Sequence, residues 1–148
     1  MKVLILDYET FSELDVTEVG AWEYSIHPST RVLCTGFKYG PLEHIMKQPS
    51  RLVLPGVSCG DNATLRAALS DPEVLIVAHN ALFDYLIHTN TLKLPSSIDR
   101  WYCTAAQAAM AGLPRGLDGA TTALGTVSRK DKSGQTLMKK LARQESDD

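Results

Sequence analysis

The chain opens on the stretch Val3-Leu4-Ile5-Leu6-Asp7-Tyr8-Glu9, in which four consecutive apolar residues precede two carboxylates. A short continuous apolar run is typical of a β-strand that is buried on both faces of a covered sheet. Because side chains alternate along a strand, Asp7 and Glu9 share one face, about 7 Å apart, and Tyr8 takes the other. Two like charges at that separation favour a divalent cation between them. The alternative is a strand that ends in a polar loop, with both carboxylates solvated.

The pattern that follows predicts an antiparallel meander. Residues 31–39 alternate as a strand does, 42–47 indicate a third and weaker strand, and 49–59 are typical of a loop. Turn residues separate these segments, which indicates tight connections between neighbouring strands.

The second part of the chain alternates between helix and strand patterns. Asp61 or Asn62 can cap a helix that runs to about Ser70, and the apolar run 74–78 predicts a second buried strand. The remaining predicted elements are a helix over 81–89 capped by Asn80, a short strand near Ile98, and helices over 102–111, 117–124 and 131–143. A meander followed by strand–helix–strand alternation predicts one α/β domain with a mixed sheet and flanking helices.

Charge is distributed unevenly along the 148 residues, although the formal net charge is only −2. Residues 1–30 contain six acidic side chains against Lys2 alone, and residues 129–143 contain six basic side chains against Asp131 alone. An acidic end and a basic end suit a site that holds cations and meets polyanions. The alternative is two solvated surfaces that differ by chance.

The cysteine pattern predicts a reducing compartment. Cys34, Cys59 and Cys103 are odd in number, widely spaced and outside any Cys-x-x-Cys motif. The sequence begins directly with a strand rather than a signal peptide, and its apolar runs are far shorter than the roughly 18 residues of a membrane span. We therefore expect a cytoplasmic protein without a membrane partner.

A third carboxylate follows the second buried strand, in the segment His79-Asn80-Ala81-Leu82-Phe83-Asp84. In α/β sheets, sites form where strands end and helices begin, so Asp84 is expected to approach Asp7 and Glu9. Three carboxylates without a cluster of Cys or His favour a hard cation, Mg²⁺ or Mn²⁺, over zinc.

Two motifs in this sequence resemble those of the DEDD-type 3′–5′ exonucleases. Asp7-Tyr8-Glu9-Thr10 resembles the first motif of that family, and His79-Asn80-Ala81-Leu82-Phe83-Asp84 resembles the second. Further segments are similar to the proofreading domain of phage-type family A DNA polymerases: Glu9-Thr10-Phe11-Ser12-Glu13-Leu14-Asp15, Val19-Gly20-Ala21-Trp22-Glu23-Tyr24, His27-Pro28, and the stretch from Lys130 to Leu141.

The resemblance implies a ribonuclease-H-like fold and a two-metal exonuclease mechanism, with Asp7, Glu9 and Asp84 as catalytic and metal-binding residues. It implies DNA, either single-stranded or at a 3′ end, as the partner. The residues expected to bind nucleic acid are Thr10, Phe11, Asn80, Lys139, Lys140 and Arg143. Phe11 is the best placed aromatic to stack on a 3′-terminal base, whereas core packing is expected for Trp22 and Tyr24.

One departure from the family concerns its third motif, a Tyr-x-x-x-Asp that supplies a fourth carboxylate. No such motif occurs after Tyr85, and structural roles are expected for Asp99, Asp118 and Asp131. Residues 1–148 are therefore expected to be a single exonuclease-like domain that lacks its C-terminal catalytic helix. Two functions stay open: an incomplete, weakly active exonuclease whose third motif comes from a polymerase segment or partner chain, or a non-catalytic module that binds single-stranded nucleic acid or a polymerase.

Overall fold

The computed structural model describes residues 1–56 and 60–126, together with Gly134, Thr136 and Leu137. The helices and strands follow one another as β1 (Lys2–Phe11), α1 (Val16–Ile26), β2 (Arg31–Pro41), β3 (Arg51–Val53), α2 (Gly60–Ser70), β4 (Leu75–Ala78), α3 (Ala81–Leu86), β5 (Trp101–Cys103), α4 (Thr104–Met110) and α5 (Leu117–Ala123). Short 3-10 segments cover Leu42–Lys47 and Ile98–Arg100, and a π-helical segment, Ile87–Thr91, continues α3.

The strands form one five-stranded sheet in the order β3-β2-β1-β4-β5. β1 pairs antiparallel with β2, and β2 pairs antiparallel with β3, which gives the meander. β1 also pairs parallel with β4, and β4 pairs parallel with β5. The predicted α/β fold with a mixed sheet is therefore confirmed, and β1 is its central strand.

β1 is central because its apolar run has no polar face to turn toward water. Val3 and Leu4 point to opposite faces of the sheet and are 1% and 0% exposed. The main hydrophobic core continues around this strand through Leu6, Tyr8, Tyr24, Phe37, Leu65, Ala68, Val74, Ile76 and Ile87. Because β1 is buried on both faces and paired on both edges, the position of its C-terminal end is fixed by the rest of the sheet.

The third strand differs from the sequence prediction. Residues Leu42–Lys47 form a 3-10 segment instead of a weak strand, and Ile45 is its buried side chain. The third strand is Arg51–Val53, which lies in the segment predicted as a loop. The strand expected near Ile98 begins three residues later, at Trp101, after a 3-10 turn.

The predicted helices agree better, with shifts at their ends, whereas α1 is a helix that the sequence pattern does not predict. α2 and α5 lie where the pattern predicts them, whereas α4 begins at Thr104, two residues later than expected. The helix predicted over 81–89 is divided into α3 and the π-helical segment Ile87–Thr91. Most of the helix predicted over 131–143 lies outside the described residues. Among the helices that are described, none combines the length and the apolar character needed to cross a bilayer.

Candidate active site

The C-terminal end of β1 carries the first two carboxylates. Asp7 is exposed and Glu9 is half-buried, while Tyr8 between them is buried on the opposite face. This alternation is the one predicted for a strand. Glu9 lies opposite Cys34 of β2, and the register between the two strands shifts directly after it, between Glu9 and Thr10.

Asp84 completes the group from the first turn of α3. Its carboxylate is 3% exposed, and its Oδ1 accepts a hydrogen bond from the backbone N–H of Tyr8 at 3.0 Å. The pairing of β1 with β4 ends at Ile5 and Val77, so β1 runs beyond its parallel neighbour. There α3 supplies the partner for the β1 backbone, and the acceptor is a carboxylate instead of a strand carbonyl.

The three carboxylates are close enough to influence one another. Burial raises the pKa of Asp84 from 3.8 to about 7; the hydrogen bond from Tyr8 opposes this rise, and the charges of Asp7 and Glu9 add to it. The pKa of the Cys34 thiol is likewise raised, by burial and then by the charges of Glu9 and Asp7. The negative charges of Asp7 and Glu9 are therefore felt both at Asp84 and at Cys34.

A hard divalent cation fits this group by the chemistry of its donors, since all three side chains offer carboxylate oxygens. The fit is incomplete in geometry. Within the described ranges 1–56 and 60–126, no three side chains of His, Cys, Asp or Glu are close enough together to hold an ion. Asp7 is exposed and Glu9 half-buried, whereas Asp84 is buried and bonded to the backbone N–H of Tyr8.

Thr10 and Phe11 are the last two residues of β1, and Thr10 contacts α1. The hydroxyl groups of Thr10 and Tyr24 share a hydrogen bond of 2.9 Å. Phe11 is only 6% exposed, and the Arg31 guanidinium lies 4.3 Å from its ring centroid. Stacking of a base on Phe11 therefore stays a prediction, and it requires Arg31 to move aside.

Two aromatic residues of α1 have different surroundings. Tyr24 is 7% exposed and packs against Phe83, with ring centroids 5.7 Å apart, as core packing requires. Trp22 is 58% exposed, so the prediction that it packs in the core is wrong. The kink at Gly20 turns the second half of α1 relative to the first, which a helical pattern drawn from Val16 cannot anticipate.

Asn80 precedes α3 in the left-handed conformation, with φ 69° and ψ 49°. Its side chain is exposed and makes no capping hydrogen bond, so it caps α3 by position only. A role for Asn80 in binding nucleic acid stays a prediction, as do the roles of Asp7, Glu9, Asp84 and Thr10. Lys139, Lys140 and Arg143 lie outside the described residues.

Asp99 lies at the opposite edge of the sheet from the three carboxylates. It lies in the 3-10 segment just before the parallel strand β5, and its Oδ2 lies 3.3 Å from the Ser97 hydroxyl. The next residue, Arg100, donates to the carbonyl of Val74 at the start of β4. A structural role for Asp99, as expected from the sequence, agrees with this position.

His88 is a buried residue of this region that sequence reasoning misses. An isolated histidine after the second motif reads as a surface or partly packed group, but His88 is 2% exposed. Its Nδ1 lies 2.8 Å from the Tyr8 hydroxyl. Only its spacing of four residues from Asp84 could have indicated that both side chains face the same way.

Comparison with known proteins places this geometry in context. No family model matches the chain. The chain is 31% identical over 144 residues to the DNA polymerase of Bacillus phage SP02, an alignment that covers 94% of this chain and 20% of the polymerase. The chain thus spans about a fifth of that relative.

Two solved structures of exonuclease I share the fold. One is a complex of SSB/exonuclease I with the inhibitor CFAM, with a TM-score of 0.57, 15% identity, and coverage of 93% of this chain and 39% of that one. The other, a structure of exonuclease I discussed in terms of processivity, has a TM-score of 0.54, 14% identity, and coverage of 97% and 42%. The ribonuclease-H-like fold class is thereby confirmed. This chain therefore has the fold of exonuclease I and is similar in sequence to part of a phage DNA polymerase, and both findings agree with the resemblance of its two motifs to those of DEDD-type 3′–5′ exonucleases.

Proposed function

We propose that the chain is a metal-dependent 3′–5′ exonuclease domain of the proofreading type, which acts on DNA and is incomplete and weakly active by itself. The observation that carries the proposal is the buried Asp84 carboxylate, held by the Tyr8 amide beside Asp7 and Glu9. The similarity to a phage DNA polymerase supports DNA as the substrate.

Each residue has a defined part in this proposal. Asp7, Glu9 and Asp84 would hold Mg²⁺ or Mn²⁺, and a cation bound there supplies Lewis-acid stabilisation of the charge that develops on the phosphodiester. Asp84 must be ionised to act as a ligand, and because its pKa is raised to about 7, binding of a cation would displace a proton from it near neutral pH. Thr10, Phe11 and Asn80 would bind the 3′-terminal nucleotide.

Incompleteness is proposed because three carboxylates neutralise a pair of divalent ions poorly. Asp99 precedes the start of β5, whereas Asp7 and Glu9 lie toward the C-terminal end of β1, so we do not count Asp99 as a fourth ligand. We propose that a downstream polymerase segment or a partner chain supplies the missing carboxylate and the group that orients water. Poor alignment of the attacking group alone can slow a reaction about a hundredfold.

The test follows a single-stranded oligonucleotide labelled at its 5′ end, in Mn²⁺, with the purified 148-residue chain. We expect slow shortening from the 3′ end, its loss in EDTA, and its loss in Asp7→Ala. Addition of a downstream polymerase segment should accelerate shortening. Rapid digestion by the chain alone would contradict incompleteness, and products that lose the 5′ label as mononucleotides would contradict the polarity.

A second candidate, a module that binds single-stranded nucleic acid or a polymerase without cleavage, is favoured by the absence of a converged ion-binding trio among the described residues. Under this candidate the oligonucleotide binds but is not shortened, with or without the downstream segment. Asp7→Ala would then leave DNA affinity the same or raise it, because it removes a negative charge. Calorimetric titration with Mn²⁺ separates the two, since only the nuclease requires the parent to bind the ion more tightly than Asp7→Ala.

A further inference from the structure

Tyr8 is held at two points by one continuous helical segment. Its backbone N–H donates to Asp84 at 3.0 Å, and its side-chain hydroxyl meets Nδ1 of His88 at 2.8 Å. Asp84 and His88 are four residues apart, which places them about one turn from each other on the same side of a helix. The residue between the two β1 carboxylates is therefore held through its main chain and its side chain at once.

His88 is itself firmly enclosed. Its ring lies against Trp101 of β5 in an edge-on arrangement, with centroids 5.4 Å apart, and stacks on the Tyr8 ring at 6.2 Å. It belongs to the π-helical segment Ile87–Thr91, where the N–H of Leu92 donates to the carbonyl of Ile87 at 3.0 Å. A π-turn inside a helix redirects side chains and often occurs next to functional sites.

We propose that His88 is a positioning residue of the carboxylate site: its hydrogen bond to the Tyr8 hydroxyl fixes the end of β1 so that the Tyr8 amide stays on Asp84 and Asp7 and Glu9 keep their place beside it. The inference rests on the proposed function, because it assigns a role at the same site. His88 does not contact the substrate or the cation; it acts through Tyr8.

The chemistry of the pair suits a fixed support. Burial, with a smaller effect from the Arg100 charge, lowers the pKa of His88 to about 4, so the ring is neutral near pH 7. A neutral imidazole supports Tyr8 without placing a counter-charge next to the carboxylates. The negative field that attracts a cation is then left intact.

The experiment compares Tyr8→Phe, His88→Phe and the double variant by amide hydrogen exchange and by titration with Mn²⁺. Tyr8→Phe removes only the hydroxyl group, and His88→Phe keeps an aromatic ring at that place but removes the nitrogen that meets the hydroxyl. We expect the residue-8 amide to lose about tenfold or more of its protection relative to the Leu6 amide in each single variant, with no further loss in the double variant. Mn²⁺ affinity should fall severalfold in the same variants.

The matched control is Val74→Ala, which removes buried volume near the start of β4, at the other end of the sheet. It should reduce protection of the Leu6 and Tyr8 amides alike and leave Mn²⁺ affinity at the parental value. A residue-8 amide that keeps its relative protection in His88→Phe would overturn the inference. If the parent does not bind Mn²⁺, the proposed metal function fails, and the exchange comparison still decides the role of His88.

Discussion

At the scale of single residues, Asp84 is a carboxylate kept almost wholly out of water, and the backbone N–H of Tyr8 donates a hydrogen bond to it. The charges of Asp7 and Glu9 make its ionised form still less favourable. A folded domain tolerates such a group when it serves a purpose other than stability, and a cation that neutralises it is the simplest purpose. The cost of burying this charge can be measured from protein stability alone, without DNA and without nuclease activity.

We predict that Asp84→Asn stabilises the metal-free protein at pH 8 and much less at pH 4. The pKa of Asp84 is about 7 in the folded state against 3.8 as the reference value, so the folded state binds more protons between those values. The contribution of Asp84 to the free energy of unfolding therefore falls as pH rises from about 4 to 7, by up to about 4 kcal/mol at about 1.36 kcal/mol per unit. Melting temperatures of both proteins across this range measure the effect.

Two further points bear on the comparison of the parent with Asp84→Asn. His88 has the opposite sign, since its lowered pKa adds stability as pH rises from about 4 to 6.5, but it is present in both proteins and cancels in the difference. Millimolar Mg²⁺ should raise the melting temperature of the parent at pH 8 more than that of Asp84→Asn. A difference between the two proteins that stays constant from pH 4 to pH 8 would contradict the buried charge.

The sequence predicts the proximity of the three carboxylates because it depends only on strand alternation and on where a helix begins. It does not predict the contact of Tyr8 with His88. That contact depends on the π-helical segment Ile87–Thr91 and on the position of Trp101. Neither of these can be recognised from a local sequence pattern. Trp22 is misjudged as well: it is 58% exposed, and it lies two residues after the break in α1 at Gly20.

At the scale of elements, the missed segments are those whose structure does not repeat. α1 begins at a good cap, where Asp15 accepts from the Thr17 N–H at 2.8 Å, but Gly20 interrupts it with φ 80° and ψ 163°. β3 has only three residues, and Leu52 at its centre is 58% exposed, so no alternating pattern can be recognised. Long, continuous elements such as β1 are predictable, whereas these short ones depend on tertiary contacts.

We predict that Gly20→Ala lowers the free energy of unfolding by about 1–3 kcal/mol, because its backbone conformation is nearly restricted to glycine. An added Cβ meets nothing within 4 Å, so the loss is conformational and not steric. Gly116→Ala is the matched control: it too meets nothing within 4 Å, but its φ of −69° suits any residue. Urea unfolding measures both, and equal losses in the two variants would contradict the explanation.

At the scale of the whole molecule, the sheet places the carboxylates of the candidate site at the end where β1 and β4 finish. β1 and β4 are parallel, so Asp7, Glu9 and the start of α3 share the edge at which both strands finish. The fold class follows from two buried apolar runs, the first followed by a meander and the second preceded by a helix, which is why sequence alone predicts it. The order β3-β2-β1-β4-β5 is set by pairing partners that no local pattern specifies.

An acidic edge repels a phosphate backbone, so binding of DNA needs cationic side chains elsewhere, and the sequence offers Lys139, Lys140 and Arg143. We predict that the double charge reversal Lys139→Glu with Lys140→Glu weakens binding of single-stranded DNA. If both residues contact phosphates, the slope of log affinity against log salt should become shallower by about 1.4, at about 0.7 per contact. Fluorescence anisotropy over a range of salt concentrations measures affinity and slope together.

The control must change the net charge by the same amount, at residues far from the three carboxylates. Lys2 and Lys47 are both exposed, and Lys2 begins β1 at the end opposite the carboxylates. The segment that contains Lys47 starts beside it, because the N–H of Leu42 donates to the carbonyl of Met1. Reversal of Lys2 and Lys47 should therefore reduce affinity only slightly and leave the slope unchanged, because no phosphate contact is lost. If both double variants weaken binding equally, net charge alone governs the association. Lys139 and Lys140 would then face solvent or another protein, which is the outcome that the non-catalytic, polymerase-binding function requires.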